Sequence, residues 1–290
     1  MNELEVRRAL QRVHVDPRVI TPILGGWANW TFELDGTAIV RFPRNDSVAL
    51  GTHRELLLLP ELTAHTTAFE APNPTHVGTW GDRPFFVYSR INGTALSVID
   101  RPTEYSGIIG AALRDLHAFP VDRAATLLRL GPTETAWRYR YEDLWEIVST
   151  TALPEMNSQL ADDVRRHYHG LVGDPPAFPP CLVHNDLGAE HVLVRNGDGA
   201  PPVALLDFED ATVGDPAIDF APLVARLGAA VLPELVGDRD LGDRLTERLW
   251  FYRWMGSVHA VIYGVVAGVE VERAGGLAEL RRRLDAPLPT

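Results

Sequence analysis

One stretch, residues 181–221, constrains what this chain can fold into more than any other: CLVHNDLGAEHVLVRNGDGAPPVALLDFEDATVGDPAIDFA. Short apolar runs between polar, glycine-rich loops indicate strands, and three are predicted, at residues 181–184, 191–195 and 203–207. Asp186 follows the first strand, His191 begins the second, and Asp207 ends the third. The pattern places two carboxylates and an imidazole at the ends of apolar strands, an arrangement that can carry chemistry.

The residues before this stretch predict a small sheet with one main helix. Strands are expected at Asn29 to Leu34 and at Ala38 to Phe42, joined by Asp35-Gly36, a dipeptide typical of tight hairpin turns. A further strand is expected at Phe85 to Arg90. Apolar residues at helical spacing predict a short helix in the first dozen residues and a longer one at about 47–63.

The pattern changes after Asn92-Gly93 and becomes mainly helical. Helices are predicted at residues 103–118, 133–149 and 155–171, and again in three or four pieces from about residue 216. We therefore predict an α+β fold with two lobes: a small β-rich lobe at residues 1–91 and a larger, mainly helical lobe at residues 92–290.

Charge and cysteine content exclude several classes of protein. The chain has 27 basic and 39 acidic residues, a net charge of −12, which argues against nucleic-acid binding because phosphate contacts need clustered lysine and arginine. Cys181 alone forms neither an internal disulfide nor a cysteine-based zinc cluster. The longest apolar run, Ala260 to Val269, is too short to span a bilayer, and the N-terminal residues lack a signal-peptide core. We therefore expect a cytoplasmic protein without a membrane partner.

Two carboxylates at neighbouring strand ends can support phosphoryl transfer. That reaction needs a metal to neutralise charge on the β- and γ-phosphates of a nucleotide, and a group that orients the attacking hydroxyl and takes its proton. A carboxylate on a rigid loop suits the second task, and another carboxylate one strand away can hold the metal. The alternative is that Asp186 and Asp207 are ordinary turn or cap residues. For His191 the alternative is a loop residue packed beside the site without touching metal.

The motifs H-x-D-L-x-x-x-H at 184–191, L-L-D-F-x-D at 205–210 and G-D-P-A-I-D at 214–219 resemble those of the aminoglycoside and macrolide phosphotransferase family. The resemblance covers almost the whole chain and implies the two-lobed protein-kinase-like fold. It implies that Asp186 accepts the proton of the substrate hydroxyl and that Asp207 is a metal ligand. It also gives His191 as a metal ligand where most kinases have asparagine, as in the 2″-aminoglycoside and macrolide 2′ enzymes.

The same resemblance assigns a nucleotide site to the first lobe, and its residues are Gly26, Asn29, Arg41, Glu55, Ser89 and Ile91. Arg41 stands where the family has either lysine or arginine for the phosphates, and Glu55 would pair with it. The alternative for Arg41 is a solvated strand-end residue, and the alternative for Glu55 is a capping box that begins at Thr52. The Ser89 carbonyl and the Ile91 amide would contact the nucleotide base.

Four further residues are expected to support the site. His117 and His184 are interpreted as structural residues, and Asp215 and Asp219 resemble the family's carboxylates that support the loop around Asp186. Asp215 also suits the cap of a helix that begins after Pro216, and the two interpretations are compatible.

The resemblance implies an enzyme that transfers a γ-phosphate from ATP or GTP, with Mg²⁺, to a hydroxyl of an aminoglycoside-type antibiotic. The net charge of −12 favours a cationic substrate slightly. A macrolide 2′-phosphotransferase and a kinase for another small sugar or amino alcohol remain open alternatives. The remaining alternative is a nucleotide-binding module without catalytic activity. The substrate-binding residues do not follow from the sequence.

Overall fold

The computed structural model describes residues 1–24, 28–131, 137–195 and 200–286. Its α-helices are α1 (Glu3–Gln11), α2 (Asp46–His65), α3 (Ser106–His117), α4 (Val121–Leu127), α5 (Trp137–Ile147), α6 (Ser158–Gly173), α7 (Ala217–Leu227), α8 (Leu232–Val236), α9 (Leu245–Ala267) and α10 (Glu270–Asp285). Its strands are β1 (Ile20–Ile23), β2 (Asn29–Leu34), β3 (Ala38–Pro43), β4 (Phe69–Glu70), β5 (Pro74–Trp80), β6 (Arg83–Ser89), β7 (Thr94–Ala95), β8 (Cys181–Val183), β9 (Val192–Val194), β10 (Val203–Leu205) and β11 (Thr212–Gly214).

The first part of the chain forms a five-stranded antiparallel sheet in the order β1-β2-β3-β6-β5. The predicted hairpin is confirmed: β2 and β3 are joined at Asp35 and Gly36, which both have positive φ angles, 50° and 71°. Such angles at both central residues match the twist of the flanking strands. Arg41 lies on β3, the central strand, opposite Thr31 on one side and Phe86 on the other.

Helix α2 begins earlier than the capping-box interpretation requires. Asn45 caps it, because the Asn45 side chain accepts a hydrogen bond from the Val48 N–H. Thr52 therefore lies inside the helix, where its hydroxyl donates to the Val48 carbonyl at 3.1 Å. The capping-box alternative for Glu55 is wrong, because Thr52 is not the first residue of the helix. The side chain of Glu55 is buried and is available for other contacts.

The second part of the chain carries two small sheets among its helices. One has the order β4-β10-β9-β7, so two-residue strands at positions 69–70 and 94–95 join strands from far along the sequence. The other pairs β8 with β11 in antiparallel register. Strands β1, β4, β7 and β11 were not predicted, because two to four residues give too little pattern to identify.

The predicted helices are present with shifted ends. The helix predicted at 103–118 begins with a 3₁₀ turn at Pro102–Tyr105 and continues as α3. Helix α5 continues into a π turn at Val148–Ala152. The predicted helix at 133–149 lies partly outside the described residues. Buried side chains of α3, α6, α7 and α9 form one apolar core under the small sheets. Over the described part of the chain, no helix is long and apolar enough to cross a membrane.

Candidate active site

The loop after β8 carries Asp186 and is held in place from below by Asp219 of α7. The Asp219 carboxylate accepts hydrogen bonds from the His184 N–H at 3.0 Å and from the Asn185 N–H at 2.9 Å. Asn185 has a φ angle of 70°, a left-handed conformation that asparagine adopts more readily than most residues. The predicted supporting role of Asp219 follows directly from these two bonds.

His184 ties this loop to the neighbouring strand. Its Nε2 lies 2.7 Å from the carbonyl oxygen of Leu206, and its ring packs against Phe208 with centroids 4.6 Å apart. Burial lowers the pKa of His184, so the ring is neutral and donates from Nε2. The bond fixes the distance between the ends of β8 and β10, which carry the loops of Asp186 and Asp207.

His191 contacts both aspartate positions. Its Nδ1 lies 2.7 Å from the backbone carbonyl oxygen of Asp186, and its Nε2 lies 3.8 Å from Oδ2 of Asp207. A carbonyl oxygen only accepts, so Nδ1 is the donor of this bond, and Nε2 is the nitrogen that faces Asp207. This is the arrangement in which histidine ligates a metal through one nitrogen while a hydrogen bond at the other fixes the ring.

These residues fit a divalent cation that is also held by a nucleotide. A cation between Nε2 of His191 and the carboxylate of Asp207 would have two protein ligands. Nowhere in the described ranges do three His, Cys, Asp or Glu side chains form a metal cluster. Mg²⁺ commonly keeps only one or two protein ligands and completes its shell with phosphate oxygens and water.

The Asp186 carboxylate is exposed to solvent. Its side chain is 61 % exposed and has no hydrogen-bond partner within the described chain, and His191 Nδ1 is 3.8 Å from its Oδ2. Partial desolvation raises the pKa of Asp186 to about 6, opposed by His191 and reinforced by the charges of Asp210 and Asp207. An ionised carboxylate with this pKa is suited to accept a proton from a hydroxyl near neutral pH.

Arg41 lies at the centre of three carboxylates. Its Nη1 donates to Oε1 of Glu55 at 2.9 Å, and its Nη2 donates to Oδ1 of Asp207 and, at 3.0 Å, to Oε2 of Glu209. Asn29 donates to the same oxygen of Glu209 at 2.8 Å. The solvated strand-end interpretation of Arg41 is wrong, because its side chain is only 7 % exposed.

Three carboxyl groups surround the single guanidinium of Arg41, and their pKa values are shifted in different directions. Burial raises the pKa of Glu55 to about 7, although Arg41 opposes the shift. Burial and the charge of Asp207 raise the pKa of Glu209 to about 7. Burial would also raise the pKa of Asp207, but Arg41 and then His191 outweigh it, so its pKa lies below the ordinary value. Asp207 is therefore the carboxylate that stays ionised, as a metal ligand must.

Asp215 supports the site from beneath through a buried ion pair. Arg248 of α9 donates to its Oδ1, and the Tyr252 hydroxyl donates to its Oδ2 at 2.9 Å. The Ala217 N–H also donates to Oδ1, at 2.9 Å, so Asp215 accepts from the first residue of α7, although the N-cap position is Pro216 and not Asp215 as predicted. Asp215 and Arg248 are both fully buried side chains.

The remaining nucleotide-site predictions lie around this cluster. Gly26 lies outside the described residues. Ser89 ends β6 opposite Ala38, and Ile91 is 9 % exposed and packs in a small apolar cluster with Leu193 and Ala204. An apolar surface beside a strand end suits a nucleotide base, and the backbone contacts of Ser89 and Ile91 stay predictions.

Glu209 is the site residue that sequence reasoning missed. It touches Arg41 and Asn29, which lie 168 and 180 positions away in the sequence. Two signals were available in the sequence. Glu209 follows Asp207 by two residues on the same strand-end loop, and the arginine at position 41 offers two terminal nitrogens to acceptors where lysine offers one.

Comparison with known proteins agrees with this geometry. A family model described as "Phosphotransferase enzyme family" matches residues 19–254. Viomycin phosphotransferase from Streptomyces vinaceus is 26% identical over 253 residues, covering 84% of this chain and 86% of that protein.

Two solved structures share the fold. The GDP complex of aminoglycoside 2'-phosphotransferase-IIIa superposes with a TM-score of 0.84 at 22% identity, covering 98% of this chain and 99% of that one. Macrolide 2'-phosphotransferase type I superposes with a TM-score of 0.72 at 22% identity, covering 96% of each chain. The predicted two-lobed kinase-like fold is confirmed.

Proposed function

The chain belongs to the phosphotransferase enzyme family, and from that premise we propose that it phosphorylates a hydroxyl of an aminoglycoside-type antibiotic, with Mg²⁺ and a purine nucleoside triphosphate. It is a small-molecule kinase with a nucleotide as phosphate donor; the antibiotic, the metal and the residue roles are the proposal. The observation that carries it is the exposed Asp186 carboxylate beside His191, whose free nitrogen faces Asp207 at 3.8 Å.

Each residue then has a defined task. Asp186 orients the substrate hydroxyl and accepts its proton, and His191 and Asp207 hold the cation. Bound Mg²⁺ would neutralise charge on the phosphates. Arg41, fixed by Glu55 and Glu209, contacts the phosphates, and Gly26 and Asn29 are the further residues assigned to the phosphates by the family resemblance. Ser89 and Ile91 bind the base, so residues 1–91 form the nucleotide lobe and residues 92–290 the catalytic lobe.

The acidic groups around Asp186 support a cationic molecule as the acceptor of the phosphoryl group. Asp186 lies among acidic groups, since the charges of Asp210, Asp207 and Glu190 all act to raise its pKa. Such a site attracts the amino groups of a polycationic antibiotic. The 26%-identical relative is named for viomycin, which makes viomycin a second acceptor to test. The fold shared with a macrolide enzyme makes a macrolide the third.

The test is a mass-spectrometric assay with ATP or GTP, Mg²⁺ and one antibiotic at a time. We expect an aminoglycoside to gain the mass of one phosphoryl group, and the nucleotide to lose one, only when Mg²⁺ is present. Phosphorylation of viomycin or a macrolide alone would overturn the aminoglycoside assignment and keep the kinase. Nucleotide binding without transfer to any acceptor in a broad panel, sugars and amino alcohols included, would favour the non-catalytic alternative.

The metal role of His191 gives a prediction from substitution. His191→Asn is expected to keep Mg²⁺-dependent activity, because an amide can donate to the Asp186 carbonyl and present an oxygen to the metal. His191→Ala removes both contacts and is expected to weaken the apparent Mg²⁺ affinity about 10- to 100-fold. Activity measured against Mg²⁺ concentration distinguishes the two variants. Loss of all Mg²⁺ dependence in His191→Asn, or an unchanged Mg²⁺ requirement in His191→Ala, would contradict the role.

The contacts of Arg41 predict that its effect on catalysis depends on Glu209. Glu209→Gln is expected to raise the KM for the nucleotide about tenfold, because the second nitrogen of the guanidinium loses one of its two carboxyl acceptors. In an Arg41→Lys background the same substitution should have little further effect, since an ammonium has no second nitrogen to hold.

A double-mutant cycle measures this coupling, which we expect to exceed about 1 kcal/mol. Glu70→Gln serves as the matched control, because it removes a carboxylate paired with Arg195 outside the cluster. Additive effects of Arg41→Lys and Glu209→Gln would show that Glu209 does not position Arg41.

A further inference from the structure

A cleft of about 640 Å³ lies between α3 on one side and α8 with the segment that follows it on the other. Arg114 and Gly107 of α3 line one side, and the other side is lined by Pro233, Glu234, Gly237, Asp238 and Arg239. Gly237 matters for access: a β-carbon at this position would lie 3.2 Å from Nη1 of Arg114, so glycine leaves that guanidinium open to the cleft. None of these residues belongs to the site of Asp186 and Asp207.

The two arginines of this cleft lack acidic partners, although the chain carries a net charge of −12. The Arg114 side chain makes no hydrogen bond or ion pair within the described ranges. Arg239 donates to the carbonyl oxygens of Val236 and Leu235, at 3.0 and 3.1 Å, and otherwise to a histidine. Burial and the neighbouring charge of Arg114 lower the pKa of Arg239 to about 10. Two adjacent guanidiniums without a carboxylate repel each other and favour a bound anion.

The acidic side chains of the cleft do not neutralise this pair. Glu234 accepts a hydrogen bond from the Ser106 hydroxyl. Asp238 is exposed, and neither acid forms an ion pair with Arg114 or Arg239 among the residues whose positions are described. The positive charge of the two arginines is therefore available to a ligand that enters the cleft.

A chain of hydrogen bonds connects the cleft to the loop of Asp186. Nη1 of Arg239 lies 2.9 Å from Nδ1 of His117, and because arginine only donates, Nδ1 is the acceptor and His117 carries its proton on Nε2. That Nε2 lies 2.9 Å from Oδ2 of Asp219 and donates to it. Asp219 in turn accepts the N–H groups of residues 184 and 185. Arg239 thus helps to orient the carboxylate that holds this loop.

We propose that the cleft binds a small multivalent oxyanion, a phosphate or a polycarboxylate, between Arg114 and Arg239, and that the bound anion stiffens the loop of Asp186 through His117 and Asp219. The anion supplies the charged acceptor that both guanidiniums lack. It also holds Arg239 in the position from which it fixes the tautomer of His117. This binding site does not depend on which substrate the enzyme phosphorylates.

The binding test uses inorganic phosphate and citrate in separate titrations at constant ionic strength. A non-hydrolysable nucleotide and Mg²⁺ are present at saturating concentration, so that the proposed nucleotide site is already occupied. We expect a saturable rise in melting temperature with at least one of them, since a ligand that binds the native state stabilises it. Arg114→Met should weaken this binding about tenfold or more, whereas Arg8→Met, which removes an exposed arginine from α1, should leave it unchanged. Phosphate alone or citrate alone as the effective ligand identifies the type of anion.

Hydrogen exchange tests the connection to the loop. With the effective anion bound, the amides of His184 and Asn185 should exchange more slowly in the wild-type protein and at the unbound rate in Arg114→Met. Arg239→Lys, which keeps the charge but cannot reproduce the same three hydrogen bonds, should bind the anion without slowing exchange. The absence of saturable binding, or equal binding by Arg114→Met, overturns the site. Unchanged amide exchange with the anion bound overturns the connection.

Discussion

Replacing Asp186 with asparagine is expected to lower kcat for phosphoryl transfer by about 10²- to 10⁴-fold while leaving the affinity for the nucleotide nearly unchanged. The amide keeps the shape of the side chain but cannot accept the hydroxyl proton, and general-base catalysis of this kind contributes effects of that size. The carboxylate makes no hydrogen bond in the described structure, so the substitution should not disturb the loop. Single-turnover rates and nucleotide titrations measure the two quantities separately.

Asp210→Asn provides the matched control for this prediction. It removes a carboxylate whose charge acts on Asp186, but it leaves the proposed base in place. We expect a much smaller loss of kcat than in Asp186→Asn. If Asp186→Asn retains full transferase activity, or if both variants lose activity equally, Asp186 is not the base.

Replacing Arg248 with methionine is expected to lower the free energy of unfolding by about 3–5 kcal/mol, the usual cost of leaving one partner of a buried ion pair uncompensated. Arg248 and Asp215 have no exposed side-chain surface. Arg248 also donates to the carbonyl oxygens of Asp243 at 2.9 Å and Leu241 at 2.5 Å, so the arginine joins the segment before α9 to Asp215. Denaturant titration measures the loss.

Two further variants show whether the buried charge causes this loss. Arg165→Met removes an arginine from an exposed pair with Asp162 and should cost less than about 1 kcal/mol. Adding Asp215→Asn to Arg248→Met should recover part of the stability, because the unpaired charge disappears. A loss of less than about 1 kcal/mol in Arg248→Met would mean that the pair does not stabilise the fold under the site.

The catalytic segment could be anticipated because its residues are close in sequence. Asp186 and His191 lie five residues apart, and the antiparallel pairing of β9 with β10 places His191 near the end of β10, which Asp207 follows. The Asp35-Gly36 hairpin was predictable for a similar reason, since its geometry depends on two residues.

Contacts between distant segments could not be anticipated. Nothing near Arg41 in the sequence indicates that Glu209 would share its guanidinium, and nothing near His117 indicates Arg239. The strands β4 and β7 exist because β10 and β9 offer free edges, not because residues 69–70 and 94–95 have a strand pattern of their own. Tertiary pairing decides such short elements.

The arginine at position 41 shows how a departure from the common kinase pattern can be compensated elsewhere in the chain. Lysine would present one point charge to the phosphates, whereas arginine presents a planar group that must be held in orientation. Glu55 holds one nitrogen, and Asp207 and Glu209 hold the other. Arginine at this position therefore keeps the positive charge of the proposed phosphate site, in an orientation that these three carboxylates fix.

A crystal structure with Mn²⁺ in place of Mg²⁺, a non-hydrolysable nucleotide and the antibiotic that the enzyme phosphorylates tests the account most directly. Mn²⁺ can be located in it by anomalous scattering. The account predicts a peak bonded to Nε2 of His191 and to the Asp207 carboxylate, with the acceptor hydroxyl within hydrogen-bond distance of Asp186. A metal held by other residues, or an acceptor hydroxyl away from Asp186, would contradict it.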